Sequence, residues 1–215
     1  MGSNPTRSTA RAIVNQVGIL AYGSLIADPG RELAEALAGR IQGVQTPFRV
    51  EFARKSTIRG GAPTLVPVET GGAEVAATVL VLRDDVSESA AADMLWRRET
   101  GRVGSGERYR RSATPSVDHV RIQRLANFHG IAVVTFAQLA PNLARPTARE
   151  LAQLAITSAQ GSHGESRRDG ISYLLQVKEA GIVTPLMDEY ETEILRQTGT
   201  RGLTEAWQRS RQSMP

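Results

Sequence analysis

Ile19-Leu20-Ala21-Tyr22-Gly23-Ser24-Leu25 decides how this chain is read. The apolar run from Val17 to Ala21 predicts a buried strand. Tyr22-Gly23-Ser24 then leaves the strand, and Asp28-Pro29-Gly30 predicts a turn into a helix. Gly23 permits a bend that a Cβ forbids and lets a ligand approach the main chain. Ser24 adds a hydroxyl, and backbone N–H groups beyond a strand end can converge on an anion. Two readings stand side by side: an ordinary strand-to-helix turn, or a cradle for a small anionic group.

Outward from this stretch, the pattern is that of one α+β domain. Asp28 predicts a helix cap, with Pro29 at the first helical position and Leu33, Ala34, Leu37 and Ala38 as its apolar stripe up to Gly39. Phe48, Val50 and Phe52 alternate with charged residues and predict a half-buried strand. Leu65 to Val68 predicts a second strand, at an edge or bulge because of Pro67, before a Gly71-Gly72 turn. Val75 to Leu82 reads as a central strand, and Val117 to Leu125 and Ile131 to Leu139 as two more. Strands without regular βαβ alternation predict a mixed or antiparallel sheet curling into a barrel, flanked by helices.

A helix over Ser87 to Thr100 separates these strands, with Asp85 and Glu88 at capping-box spacing and Gly101 as its stop. Ala91, Leu95 and Glu99 succeed one another at four-residue steps, so Glu99 falls beside the apolar stripe. Arg97 and Arg98 point elsewhere, by about 100° per residue. A carboxylate in that position either pairs with Arg102 or Arg98 at the helix end, or serves as a general acid/base in a partly desolvated pocket. Glu107, in a Gly-Ser-Gly loop, is the second candidate and should be solvated.

The C-terminal third, from about residue 147, reads as helical. Thr147 and Glu150 form a capping box above Leu151, Leu154 and Ala155. A polar stretch, Gln160 to Arg168, precedes a helix carrying Ile171, Leu174 and Leu175 and stopped by Gly181. Thr184-Pro185 predicts the start of another, with Leu186, Tyr190 and Ile194, and Leu203, Ala206 and Trp207 mark a last one. Residues 1–12 are polar and acid-free and predict a disordered tail, leaving 13–215 as a single domain.

Composition narrows the function classes. The chain has 215 residues, 40% of them hydrophobic, with no cysteine and a net charge of +4. Thiolate metal sites and disulfides are excluded, which fits a reducing, cytoplasmic setting. No apolar run has the length of a membrane span, so no membrane partner is expected. Only Lys55 and Lys178 are lysines, and 5% of residues are aromatic. Scattered arginines with so few aromatics make nucleic acid an unexpected partner, although Arg97 to Arg111 concentrates positive charge. His119, His129 and His163 share no metal-ligand spacing. No phosphate-binding or dinucleotide glycine motif and no Gly-x-Ser-x-Gly elbow occurs.

Tyr22-Gly23-Ser24-Leu25 after an N-terminal apolar strand resembles the signature loop of the γ-glutamylcyclotransferase superfamily. A helix ending in Glu99, then a loop, Tyr109-Arg110-Arg111 and a strand, resembles the surroundings of that family's catalytic glutamate. The resemblance runs from Val17 to Tyr190 in element order, and Leu25 differs from members with an asparagine after the serine. It implies a barrel-like α+β fold with a helical C-terminal extension. It also implies cyclisation of a γ-glutamyl group to 5-oxoproline without metal or organic cofactor. Glu99 would be the acid/base, with Tyr22, Gly23, Ser24 and Leu25 holding the glutamyl carboxylate and the developing oxyanion, and Tyr109 orienting the substrate. The alternative is a binding or regulatory module that keeps the pocket without the chemistry. Neither the amine half of the substrate nor an oligomeric state follows from these residues.

Overall fold

A computed structural model describes residues 16–114 and 116–212. The polar N-terminal stretch assigned above to a disordered tail lies outside the described residues.

The architecture is mixed α+β. One five-stranded sheet runs in the order β2-β5-β1-β7-β6. Its strands are β1 (Val17–Ala21), β2 (Leu37–Gln45), β5 (Ala76–Leu82), β6 (Arg121–Phe128) and β7 (Ile131–Gln138). β1 sits in the middle, antiparallel to β5 and parallel to β7, which explains why every one of its residues is buried. Val17, Ile19 and Ala21 face α2 (Arg31–Glu35) and α3 (Glu88–Glu99), packing with Leu33, Ala91 and Leu95. Leu20 faces the other way, among Val44, Val79, Val134 and Phe136.

A separate hairpin pairs β3 (Val50–Ser56) with β4 (Ala62–Pro67), and Pro67 sits at the end of a strand that has only one partner. Its apolar face, Val50, Phe52 and Leu65, is covered by the C-terminal helices. These are α4 (Ala148–Gln160), α6 (Gly170–Glu179), α7 (Met187–Thr198) and α8 (Leu203–Gln212), with the one-turn α5 (Ser162–Glu165) between the first two.

Four sequence expectations are corrected. Among the described residues the strands form no closed barrel. β2 and β6 are the outer strands of the sheet and carry arginines, Arg40 on one and Arg121 and Arg124 on the other, as charged edges do. The helix expected through Gly39 stops at Glu35, and Leu37 and Ala38 belong to β2. That strand is mostly exposed and broken by bulges, so its alternation is faint in the sequence. The strand expected from Val117 begins at Arg121, because residues 116–119 form a turn in which Ser116 N–H donates to His119 Nδ1 at 2.8 Å. α3 is capped by Ser87, which accepts from Ala90 N–H at 3.2 Å, and not by Asp85. Other expectations hold: β5 lies inside the sheet, Gly71 and Gly72 have positive φ, Thr147 caps α4, and α3 ends at Glu99.

Candidate active site

Gly23 adopts φ 61° and ψ −138°, a conformation that side chains other than glycine rarely tolerate. A Cβ there would stand 2.8 Å from the Tyr173 hydroxyl oxygen. The bend and the close approach thus both require glycine, and the chain turns at once into α1 (Ser24–Ala27). Tyr22 is fixed by its hydroxyl, which donates to the Ala137 carbonyl at 3.0 Å, and by an edge-on contact with Phe48. Burial raises the Tyr22 pKa, with the nearby charge of Glu99 adding to it, so the phenol stays a proton donor.

Glu99 ends α3 on the same cavity. Its Oε1 accepts from Arg98 Nη1 at 2.7 Å, and the same guanidinium donates through Nη2 to Ser24 Oγ at 3.2 Å. One arginine therefore joins the two places that the sequence singled out, across 74 residues of chain. Arg98 is anchored further by the Asp28 carbonyl, 2.7 Å from Nη2. Glu99 Oε2 accepts no hydrogen bond among the described residues, and Glu99 lines the cavity.

Ser24 Oγ accepts a second donor, Arg59 Nη2, at 3.1 Å. A hydroxyl has two lone pairs and one proton. With both lone pairs facing guanidinium groups, the Ser24 proton is left to donate to an acceptor in the cavity. Arg59 also lies over the Tyr173 ring, 4.6 Å from its centroid. Burial lowers the Arg59 pKa and raises that of Tyr173, as expected for a cation and a phenol withdrawn from water together.

The cavity has a volume of about 640 Å³, enough for a small polar ligand. Tyr22, Ser24, Leu25 and Glu99 all line it, and Gly23 lies between two of them. Tyr109 is not brought there. Its hydroxyl accepts from Ile122 N–H at 3.2 Å and its N–H donates to Asp93 at 2.8 Å, so it straps the loop after α3 to β6. Glu107 is exposed and pairs with Arg102 at 2.5 Å. Among the described residues no group of three or more His, Asp or Glu side chains could hold a metal ion. Among the described residues no helix is long and apolar enough to cross a membrane.

Sequence reading missed Arg59 and Tyr173; of Arg98 it gave the helix-end pairing with Glu99, which the structure shows, but not the reach to Ser24. Arg98 was expected to point away from the face that carries Glu99. Its Cβ direction differs, but a long side chain laid along the helix end reaches back. Arg97 does turn away, pairing with Glu32 at 2.7 Å. Arg59 could have been suspected from the Arg59-Gly60-Gly61 corner between two strands, where both glycines have positive φ. No comparable signal marked Tyr173 within the apolar pattern of α6. No family model and no curated protein matches this chain.

Proposed function

We propose that this chain is a γ-glutamylcyclotransferase-like enzyme that converts a γ-glutamyl group to 5-oxoproline and releases the attached amine. The observation that carries the proposal is the Ser24–Arg98–Glu99 chain on one cavity, which places a hydroxyl donor and a half-engaged carboxylate around a common space.

In this scheme the glutamyl α-carboxylate accepts from the Ser24 hydroxyl and Arg59. The α-ammonium faces the open Oε2 of Glu99 and gives it a proton. The freed amine attacks its own γ-carbonyl, closing a five-membered ring through a tetrahedral oxyanion. The C–N bond to the leaving amine then breaks. Two protons leave the α-nitrogen and both finish on the departing amine, relayed by Glu99. Nucleophile and electrophile share one molecule, so no covalent intermediate with the protein is needed. One carboxylate relays the protons because its second oxygen is already held by Arg98. Arg98 positions the carboxylate, while Tyr22 and Tyr173 wall the loop and exclude water. The chemistry calls for no metal or organic cofactor.

A second reading has its own observation. The Arg98–Glu99 ion pair is a resting arrangement that a carboxylate-binding module without chemistry could also adopt. Release of 5-oxoproline from a panel of γ-glutamyl amino acids and γ-glutamyl amines separates the two. The enzyme reading predicts product with wild type and a loss of about 10² to 10⁴ in kcat with Glu99→Gln. Tight binding of glutamate derivatives without product supports the module, and turnover that survives Glu99→Gln removes Glu99 from its role.

A further inference from the structure

A second groove, of about 560 Å³, shares a wall with the cavity described above. Thr57 and Asp118 line both spaces, whereas Lys55, Val117, Asn142 and Leu143 line only the groove. Its walls are fixed by the fold. Arg54, buried on β3, donates through Nη1 to the carbonyls of Val117 and Ala140, at 2.9 and 2.8 Å, and through Nη2 to Asp118 Oδ1 at 2.5 Å. Asn142 clasps the Lys55 backbone, accepting from its N–H at 2.7 Å and donating to its carbonyl at 3.1 Å. A Cβ on Gly61 would stand 2.9 Å from Lys55 Cε, so the lysine stem lies across that glycine.

Within these walls two opposite charges stand apart. Lys178, the other lysine, pairs with Glu191, whereas Lys55 forms no ion pair among the described residues. Asp118 gives one oxygen to Arg54. Its Oδ2 accepts no hydrogen bond among the described residues, and the side chain is 62% exposed. Val117 is 52% exposed, a large apolar side chain left to solvent, with the half-buried Leu143 on the same groove. Asp118 repels an anion and Lys55 repels a cation. A molecule that carries both charges and an apolar body matches every wall.

We propose that this groove binds a free α-amino acid with an apolar side chain. Its ammonium donates to Asp118 Oδ2, its carboxylate accepts from Lys55 Nζ and the Thr57 hydroxyl, and its side chain covers Val117 and Leu143. The flexible four-carbon stem of Lys55 lets the lysine ammonium follow the carboxylate. Glu99 does not line the groove, so the site stands or falls apart from the cyclisation reading.

Titration of L-leucine into the isotopically labelled full chain, followed by amide NMR shifts, tests the site. Leucine should shift the amides of Lys55, Thr57, Gly61 and Asn142 in a saturable way. Leucine amide lacks the carboxylate and N-acetyl-leucine lacks the ammonium, and each should bind about tenfold more weakly. Glycine should also bind more weakly, because it leaves Val117 uncovered. Asp118→Asn and Lys55→Gln should each weaken leucine by about tenfold. The asparagine keeps an oxygen for Arg54, and Lys55→Gln leaves the backbone clasp in place, so neither change should unfold the wall. Glu99→Gln should leave leucine affinity as it is. Leucine that shifts no groove amide overturns the proposal, as does equal affinity for the four compounds. A leucine affinity that falls with Glu99→Gln but not with Asp118→Asn or Lys55→Gln also overturns it, because the ligand then sits in the first cavity.

Discussion

Two buried carboxylates, Glu51 and Asp169, differ in closure from the half-buried Glu99. Around Glu51, both oxygens are engaged. Its Oε1 accepts from Phe52 N–H at 2.9 Å and from the Thr184 hydroxyl at 2.5 Å, and its Oε2 accepts from Leu186 N–H at 3.2 Å. Asp169 is closed in the same way. Both oxygens are engaged, by the N–H groups of Ile171 and Ser172, the Ser172 hydroxyl and Trp207 Nε1. These carboxylates clasp hairpin to helix and helix to helix. Around Glu99, one oxygen is held by Arg98, the other accepts no hydrogen bond among the described residues, and the residue lines a cavity that Arg59 also lines. A closed carboxylate maintains structure, because both of its oxygens are used by the fold. An open one beside unpaired cations is arranged for something the chain itself does not supply.

Substitutions at the two kinds of acid should therefore separate activity from stability. The largest effect expected is in Glu99→Gln, a fall of about 10² to 10⁴ in 5-oxoproline formation with little change in the urea midpoint. A large loss of stability there would break the contrast, because it would make Glu99 one more structural clasp. Asp169→Ala should do the reverse. It removes the α6 cap and the partner of the half-buried Trp207 indole N–H, costing about 2 to 3 kcal/mol in urea unfolding.

Gly23→Ala tests the loop itself. Its positive φ and the 2.8 Å approach to Tyr173 Oη predict a cost of about 1 to 3 kcal/mol together with a raised KM. Combining it with Tyr173→Phe should recover part of the stability but not the backbone share, which a double-mutant cycle resolves.

The smallest effect concerns pH. The hydrogen bond from Arg97 holds the Glu32 pKa below its ordinary value, with the Gly104 N–H helping and burial opposing. A carboxylate whose folded pKa is depressed adds stability above its unfolded value, and that stability is lost as pH falls through the folded value. Wild type should thus lose stability more steeply than Glu32→Gln as the pH drops below about 4.5. Parallel profiles would show that the α2–α3 pin contributes nothing.

The sequence made some of this legible and hid the rest for identifiable reasons. β1, β5 and β7 were readable because strands buried on both faces are continuous apolar runs. β2 was not: its exposed residues and bulges erase the alternation, and its first residues continue the apolar spacing of α2. Thr184 looked like a helix cap, but its hydroxyl is spent on Glu51, 133 residues away, and α7 starts at Met187 without a side-chain cap. At the site, Gly23 and Glu99 were legible because backbone freedom and helical phase are local properties. Arg98 was legible as the helix-end partner of Glu99, but its bond to Ser24, and the places of Arg59 and Tyr173, were not, because they come from cross-chain meetings that no local pattern encodes. Tyr109 illustrates the opposite failure, a residue in the right sequence neighbourhood whose hydroxyl serves the β6 backbone.

The central claim is that the open oxygen of Glu99 and the hydroxyl of Ser24 face one glutamyl group. The most direct measurement is a crystal structure of Glu99→Gln bound to γ-glutamyl-alanine. The account predicts the α-ammonium within hydrogen-bond reach of the residue 99 side chain and the glutamyl carboxylate on Ser24 and Arg59. A ligand seated elsewhere, or turned so that its γ-carbonyl lies away from residue 99, would contradict it.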